Sequence, residues 1–379
     1  MSSVPRIVKE SFTRIEPAAD TAIAYFYGRL FAENPQLRTL FPPAMDGQRD
    51  RLFQALARVV WSLDAPDELT DYLERLGRDH RKYGVLPEHY AAMGSALIAT
   101  LRRFGGPGWT PETEAAWTAA YRTVADIMIA AAERDAAAAP PWWVAEVVDH
   151  HRPTPDLAVV TLRPDRRLDF TAGQHVPVQT ARWPRVWRRY SIANAPRPDG
   201  TLSLHVRAVP GGWVSGALVR HTRVGDTVLL GPADGALTLD PACDRDLLLV
   251  AGGTGLAPLR ALAEQELARD GERSVHLVVG ARSPLDLYDL PELRLLESGH
   301  PRLRVVPVLC DAPPHDGLRG PVAGALGRIR ERWDDHEVYV AGPPGMIRAT
   351  VGALQNLGVP LDRIHHDLLE AERGGARAS

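Results

Sequence analysis

The stretch Val186-Trp-Arg-Arg-Tyr-Ser-Ile-Ala-Asn-Ala-Pro196 separates two segments of different character, and the interpretation of the chain starts from it. In a β-strand, Arg188 and Tyr190 point to one face and Ser191 points to the other. An arginine binds a phosphate through two parallel hydrogen bonds, a tyrosine ring packs against a flat ring system, and a serine hydroxyl bonds to a ring nitrogen. These side chains predict a flavin-binding strand; the alternative is a barrel strand whose arginines are only solvated.

The segment before this stretch, residues 1–139, has the periodicity of helices. Apolar side chains recur at three- and four-residue spacing in four runs, near 23–31, 52–63, 90–104 and 117–128. Prolines stand near the helix starts, and an Ala-Ala-Ala-Ala-Pro-Pro run at 136–141 ends the last helix. We therefore predict an all-α domain over 1–139.

The spacing of apolar residues changes twice further along the chain, which predicts two more domains. Between 140 and 238, short strands separated by Pro and Gly turns predict a small antiparallel β-barrel. Between 239 and 379, near-continuous apolar strands alternate with helices, which predicts a doubly wound α/β sheet of parallel strands. The chain is thus expected to be a multidomain protein.

Composition excludes several classes of partner. The 379 residues carry a net charge of −3, which gives no case for nucleic acid or an anionic membrane. No run of about 18 apolar residues occurs, so we expect no membrane span. Two cysteines, Cys243 and Cys310, are too few for a disulfide framework or an iron–sulfur cluster. With no signal-peptide pattern at the start, the expected location is the cytoplasm.

Four side chains of the helical domain stand in an order that indicates a heme site. His80 ends a predicted helix, where a ring nitrogen can bind iron. Gln48 opens another helix, and Tyr27 projects from an earlier one, so both can face iron from the opposite side. Phe41 stands before Pro42-Pro43 and can wedge against the porphyrin. The alternative for His80 alone is a residue that caps a helix end or lies on the surface.

In the barrel segment, Gly211-Gly212 leads into a short helix. The free backbone amides at the start of that helix, from Gly212 to Val214 and Ser215, suit a diphosphate. An ordinary turn is the alternative.

Two glycine turns end parallel strands of the third domain. The run 247–258 is strand, glycine turn and helix start, with Pro258 suited to the first helical turn. It is not the Rossmann fingerprint, because Pro258 replaces the third glycine. The run 341–345 ends a later strand, at the edge where ligands of such sheets bind. The candidate nucleotide-binding residues of the two turns are Gly253, Thr254, Gly255, Gly342 and Pro343.

With these residues assembled, the chain resembles the flavohemoglobins, in which a globin is fused to a ferredoxin-reductase-like module for FAD and NAD(P)H. The resemblance covers about residues 5–370. It implies heme b, FAD and NADH or NADPH as cofactors. It also implies roles for individual residues: Tyr27 and Gln48 distal to iron, Phe41 packed on heme, His80 as iron ligand with Tyr90 hydrogen-bonding near it, Arg188, Tyr190 and Ser191 on FAD, and Gly253, Thr254 and Gly342 near the nicotinamide nucleotide.

The chain departs from that family at three positions. The proximal glutamate of the family falls at Ala132, with Glu133 facing away and Asp135 one turn further along. Asp79 stands where the family has a basic residue just before the proximal histidine. Leu369 stands where the family has the aromatic residue that covers the flavin. The first departure implies a weaker electron push on iron, and together they indicate a divergent branch.

Reductant choice depends on the end of the second parallel strand, Gly280-Ala281-Arg282-Ser283-Pro284. An arginine and a serine without an acid favour the 2′-phosphate of NADPH. However, Asp286 and Asp289 follow within a turn or two and can fold back to the ribose diol, and relatives of this fold mostly use NADH. We expect a narrow preference for NADH, with Arg282 leaving measurable NADPH use.

The resemblance implies nitric oxide dioxygenase activity, in which electrons from NAD(P)H pass through FAD to heme and NO and O2 become nitrate. One alternative is a specialised heme–flavin oxidase or reductase acting on another substrate. Another is a non-catalytic oxygen- or redox-sensing globin whose reductase resets the iron. The expected partners are small molecules, and the expected state is a monomer or weak homo-oligomer.

Overall fold

The computed structural model describes residues 3–310 and 318–366. It divides the chain into two compact units, Met1–Pro141 and Trp142–Ser379. No helix within the described ranges combines the length and the apolar character that a membrane crossing requires.

The described part of the first unit contains six α-helices: α1 Ser3–Ile15, α2 Ala19–Glu33, α3 Asp46–Trp61, α4 Pro66–His80, α5 Pro87–Gly105 and α6 Pro111–Ala138. The last three begin with proline, whose fixed φ and missing N–H suit the first helical position. Thr110 caps α6 by accepting a hydrogen bond from the backbone N–H of Thr113.

Apolar stripes of these helices form adjoining clusters. One contains Phe12, Val60 and Trp117 and joins α1, α3 and α6. A second surrounds Tyr27 and Leu30 on α2, and a third joins α4, α5 and α6. The helical packing confirms the predicted all-α domain.

The second unit begins with six antiparallel strands: β1 Trp143–Thr154, β2 Leu157–Pro164, β3 His175–Thr180, β4 Arg188–Ser191, β5 Leu202–Arg207 and β6 Thr227–Leu230. Their order in the sheet is β4-β3-β6-β1-β2-β5. An isolated bridge between Ile192 and Leu204 brings the end of β4 to β5, so the sheet closes nearly into a barrel. Helix α7, Trp213–Arg220, follows β5.

A parallel sheet completes the unit. Its strands are β7 Asp246–Gly252, β8 Val275–Ala281, β9 Leu303–Leu309, β10 Leu318–Arg319, β11 His336–Ala341 and β12 Ile364–His366. The connecting helices are α8 Leu256–Leu267, α9 Leu290–Gly299, α10 Val322–Ile329 and α11 Pro344–Asn356. The strand order is β10-β9-β8-β7-β11-β12. From β7 the chain adds β8, β9 and β10 on one side of the sheet and then adds β11 and β12 on the other side. The switch point of the sheet therefore lies between β7 and β11.

Strand β7 shows why the sheet is covered on both faces. Leu247 and Leu249 pack in one apolar cluster with α8, whereas Leu248 and Val250 pack in another with α10 and α11. This is the structure that the near-continuous apolar run predicts. The predicted succession of all-α, β-barrel and α/β folds is confirmed.

Candidate functional site

Tyr27 and Gln48 lie close together in the first unit. Tyr27 is only 3% exposed and Gln48 is half-buried, and the Gln48 side chain lowers the pKa of the Tyr27 phenol against the larger effect of burial. Burial raises the pKa of Tyr27 to about 12, so the phenol stays protonated and able to donate. Arg51 donates to Gln48 Oε1 from Nε at 3.3 Å and from Nη2 at 3.0 Å, which leaves the amide NH2 as the remaining donor.

Phe41 stands beside this pair. Its ring contacts Tyr27 edge-on at 5.6 Å between centroids, and Phe31 at 5.3 Å. Arg38 fixes the segment by donating to the carbonyls of Phe41, Pro42 and Pro43 at 3.2, 3.0 and 2.9 Å. The sequence did not indicate a role for Arg38, because no sequence motif predicts hydrogen bonds from a side chain to backbone carbonyls.

His80 has one ring nitrogen engaged and one left for a metal. Nδ1 lies 2.7 Å from the carbonyl oxygen of Leu76, so the N–H of a neutral ring belongs on Nδ1 and Nε2 keeps its lone pair. Burial lowers the pKa of His80, which favours that neutral form. The 1–141 segment has one other histidine, His89, whose Nδ1 accepts from the backbone N–H of Leu86 at 3.0 Å.

These features fit a heme. A carbonyl bonded to the far nitrogen of a metal-binding histidine is the usual way in which the ring is oriented. The inward residues of α3, Leu52, Leu56 and Val59, are half-buried rather than buried, as expected for a helix that packs partly against a porphyrin. The Tyr27 hydroxyl supplies a polar donor within an apolar cluster, with the Gln48 side chain near it.

The proximal side differs from the arrangement that the resemblance implies. Tyr90 packs in the same cluster as Leu76, and burial raises its pKa to about 12. The described residues show no hydrogen bond from its hydroxyl to His80, and its carbonyl accepts from Tyr121 Oη at 2.6 Å. The role of Tyr90 near His80 stays a prediction.

The nearby acids are engaged elsewhere. Asp135 pairs with Arg81, and Asp79 pairs with Lys82, while Glu133 is exposed. With Ala132 in place of an acid, the Leu76 carbonyl is the partner that the structure gives the His80 ring. The third departure, Leu369, lies outside the described residues.

The barrel carries the candidate flavin residues on β4. Arg188 is exposed, and its Nη1 donates to the Trp187 carbonyl at 2.9 Å. Burial raises the pKa of Tyr190, and the Arg188 guanidinium, two residues earlier on the same face of the strand, opposes that shift. Ser191 follows at the end of the strand, paired with His175 in the ladder. An exposed cation beside a half-buried phenol ring fits a phosphate next to a flat ring system.

The start of α7 fits a diphosphate. Gly211 has φ +71°, a conformation that favours glycine, and a Cβ on Gly212 would lie 2.4 Å from Ser215 Oγ and 3.0 Å from the Val209 carbonyl oxygen, so the turn is closely packed at its second glycine. The backbone amides of Trp213, Val214 and Ser215 have no acceptor among the described residues. The Ser215 hydroxyl accepts from the backbone N–H of Val209 at 3.3 Å, so it braces the turn.

The two glycine turns of the parallel sheet form one surface at its switch point. A Cβ on Gly255 would lie 2.3 Å from the Ala341 carbonyl oxygen, and one on Gly342 would lie 3.0 Å from that of Gly252. Gly253, Thr254 and Pro343 border this contact. Ligands of open parallel sheets bind at such a point, and the lack of side chains lets a nucleotide approach the backbone closely.

The acids expected to reach the ribose are not free. Asp286 accepts from Ser283 Oγ at 3.0 Å and from Arg207 Nη2 at 2.9 Å. Asp289 is buried, and both of its oxygens lie 2.9 Å from Arg260 Nη1. Internal arginines thus hold both acids in this structure, and their reach to the ribose diol stays a prediction.

Arg282, at the end of β8, is exposed and has no ion pair with any residue that the structure describes. Among the candidate residues around the ribose, it is the charged group available to a ligand.

Taken together, the fold and these residues define a heme- and flavin-containing oxidoreductase of the nicotinamide-dependent type. Family models match each part of the chain: Globin over residues 24–128, Oxidoreductase FAD-binding domain over 145–238 and Oxidoreductase NAD-binding domain over 249–352. The flavohemoprotein of Bordetella pertussis is 31% identical, across 96% of this chain and 97% of that protein. The chain belongs to the flavohemoprotein family.

Solved structures show the same fold. The flavohemoglobin from Malassezia yamatoensis, solved with bound FAD and heme, matches 97% of this chain and 98% of that chain, with a TM-score of 0.74 at 18% identity. The FAD/NAD-binding domain of nitric oxide dioxygenase from Vibrio cholerae matches 59% of this chain and 97% of that chain, with a TM-score of 0.53 at 22% identity. This chain therefore has the domains that bind heme, FAD and NAD.

Proposed function

We propose that the protein is an NAD(P)H-dependent nitric oxide dioxygenase that converts NO and O2 to nitrate. The observation that carries this proposal is the proximity of the buried Tyr27 to the half-buried Gln48, two hydrogen-bond donors in the same helical unit as the candidate iron ligand His80. Family membership supports it, as does the likeness of the reductase part to a domain of a nitric oxide dioxygenase.

Heme supplies an iron that binds a diatomic gas, and FAD supplies the conversion of a two-electron donor into single electrons. In this chain, Nε2 of His80 would hold the iron. The Tyr27 hydroxyl and the Gln48 amide would donate hydrogen bonds to the oxygen substrate and stabilise negative charge as it develops there. Phe41 would exclude water from the same side.

The reductase residues have separable tasks. Arg188 would bind a phosphate of FAD, Tyr190 would pack against the flavin ring, and Ser191 would hydrogen-bond to it. The amides at the start of α7 would hold the diphosphate. The glycine surface at the switch point would receive the nicotinamide nucleotide.

The decisive experiment mixes aerobic, heme- and FAD-loaded protein with NADH and NO while NADH, NO and nitrate are followed. We expect NO to be consumed at the rate at which nitrate forms, and NADH oxidation to accelerate when NO is added. NADH oxidation that is indifferent to NO, without nitrate, would contradict the proposal and favour an oxidase or a sensor. The described residues contain no feature that favours either of those functions over the dioxygenase.

The distal pair makes a quantitative prediction. Tyr27→Phe removes a hydrogen bond to a partner that carries partial negative charge, worth roughly 1.5–3 kcal/mol. Dissociation of O2 should therefore become about ten-fold faster or more, since about 1.4 kcal/mol corresponds to a factor of ten. Flash photolysis or stopped-flow displacement by carbon monoxide measures that rate. Tyr25→Phe, on the same helix, is the control; equal rates in wild type and Tyr27→Phe would make Tyr27 a core residue only.

Arg282 makes a prediction about reductant choice. Because Asp286 and Asp289 are held by arginines, the free charge near the ribose is that of Arg282, and we expect the protein to use both NADH and NADPH. Arg282→Ala should lower kcat/KM for NADPH about ten-fold, the scale of one charge-assisted hydrogen bond, and leave that for NADH within about two-fold.

Arg304→Ala is the matched control. Arg304 lies at the amino end of β9, whereas Arg282 follows the carboxyl end of β8, so the two arginines are at opposite ends of the parallel strands. Anaerobic reduction of the flavin by each nucleotide isolates this step. A parallel loss with both nucleotides would show that Arg282 does not distinguish them.

A further inference from the structure

Two tryptophans stack beside the Gly211-Gly212 turn. Trp213 is the first residue of α7, and Trp183 lies in the loop between β3 and β4. Their ring centroids are 4.6 Å apart and their planes are inclined by 22°. Trp213 remains 39% exposed, so the pair presents an aromatic face to solvent.

The loop that carries Trp183 is held in a specific conformation. The backbone N–H of Trp183 donates to the Thr180 carbonyl at 3.1 Å, and the Trp183 carbonyl accepts from the backbone N–H of Val186 at 3.2 Å. Arg185 has φ +66°, a left-handed conformation that a side chain makes costly. The N–H of Arg185 donates to Gln179 Oε1 at 2.6 Å, which helps to hold that conformation. Such strain persists only where the surrounding structure enforces it, and it is frequent beside ligands.

We propose that the stacked pair Trp183–Trp213 is the platform for the adenine ring of FAD. The diphosphate of FAD fits the amides of Trp213, Val214 and Ser215, and the adenosine is attached directly to that diphosphate. The base must therefore lie close to the start of α7, where the exposed indole stands. A purine presents a flat π-face, and stacking on an aromatic side chain is a strong, uncharged way to bind it.

The assignment of the flavin ring to β4 leaves this role to the adenine. Tyr190 and Arg188, on β4, are the candidates for the flavin end of the cofactor, whereas the tryptophan pair adjoins the glycine turn and the helix start. The nicotinamide nucleotide has its own surface at the switch point of the parallel sheet. This inference rests on FAD binding by the barrel and is independent of the reaction with NO.

FMN provides the discriminating probe, because it shares the flavin, ribityl chain and one phosphate of FAD but lacks the adenosine. The experiment titrates full-length protein, stripped of flavin, with FAD and separately with FMN, and follows the quenching of flavin fluorescence. Trp213→Ala should weaken FAD about ten-fold and change the affinity for FMN by less than about two-fold, since one base stacked on an aromatic ring accounts for about a factor of ten or more.

Two further variants separate stacking from folding. Trp213→Phe keeps an aromatic face and should retain most of the affinity for FAD, and Trp61→Ala, an exposed tryptophan of the first unit, should leave FAD binding unchanged. Unchanged FAD affinity in Trp213→Ala overturns the proposal. An equal loss of FAD and FMN affinity also overturns it, because that result assigns Trp213 to the turn alone. If the wild-type protein does not bind FAD, the assignment of the barrel as the FAD-binding domain is wrong. That outcome is independent of the reaction with NO.

Discussion

A His80→Ala variant is expected to lose heme while it keeps FAD. The Leu76 carbonyl holds Nδ1 of His80 and so directs Nε2 toward a metal. Losing even an outer partner of a metal ligand costs roughly 10–100-fold in metal affinity, and losing the ligand itself costs more. We therefore expect heme affinity to fall by more than about 100-fold. The ratio of Soret to flavin absorbance in purified protein measures the result, and the flavin serves as the internal standard.

The same unit contains the matched control. His89→Ala removes the other histidine of residues 1–141, whose ring is used to cap the start of α5. That variant should keep its heme. Added imidazole should restore heme binding to His80→Ala by supplying the missing nitrogen. A wild-type Soret band in His80→Ala without imidazole would show that His80 is not the iron ligand.

The fold was predictable because its signals are local. The run from Leu247 to Val250 is apolar at every position, which a strand covered on both faces requires, and the structure places alternate residues in two separate clusters. The glycine pair before α7 was predictable for the same reason, since a turn and a helix start are decided by adjacent residues. Such patterns carry the architecture of all three folds.

The details of the site depend on contacts between distant positions. Asp286 lies 79 residues from Arg207, and Arg81 lies 54 residues from Asp135. A sequence pattern presents these acids as available for a ribose or a histidine. Only the tertiary structure shows that arginines occupy them, whereas Tyr27 and Gln48 were identified together from the sequence and lie close together in the structure.

The second large effect is expected from Gly77→Ala, at a position that no motif marks. Gly77 is buried on α4, three residues before His80. A Cβ there would lie 2.3 Å from the carbonyl oxygen and 2.8 Å from the Cα of Met128 on α6. These are backbone atoms, which cannot turn aside as a flexible side chain can. Alanine must therefore push α4 away from α6 and displace the helix that presents His80.

Overpacking of this kind costs about 1–3 kcal/mol, and the better helix propensity of alanine returns only about 0.5–1 kcal/mol. Because the contacts are to backbone atoms, we place the net loss of unfolding free energy for Gly77→Ala near 2 kcal/mol, and we expect transfer of heme to an excess of a heme-scavenging protein to be faster by up to about 30-fold, the factor to which that energy corresponds. Gly28→Ala is the control, since Gly28 lies on α2 with no atom within 4 Å of its Cβ position. That change should stabilise the helix slightly and leave heme transfer unchanged. Equal transfer rates in Gly77→Ala and wild type would mean that α4 accommodates the methyl group without moving His80, and that the close approach to α6 does not position the iron ligand.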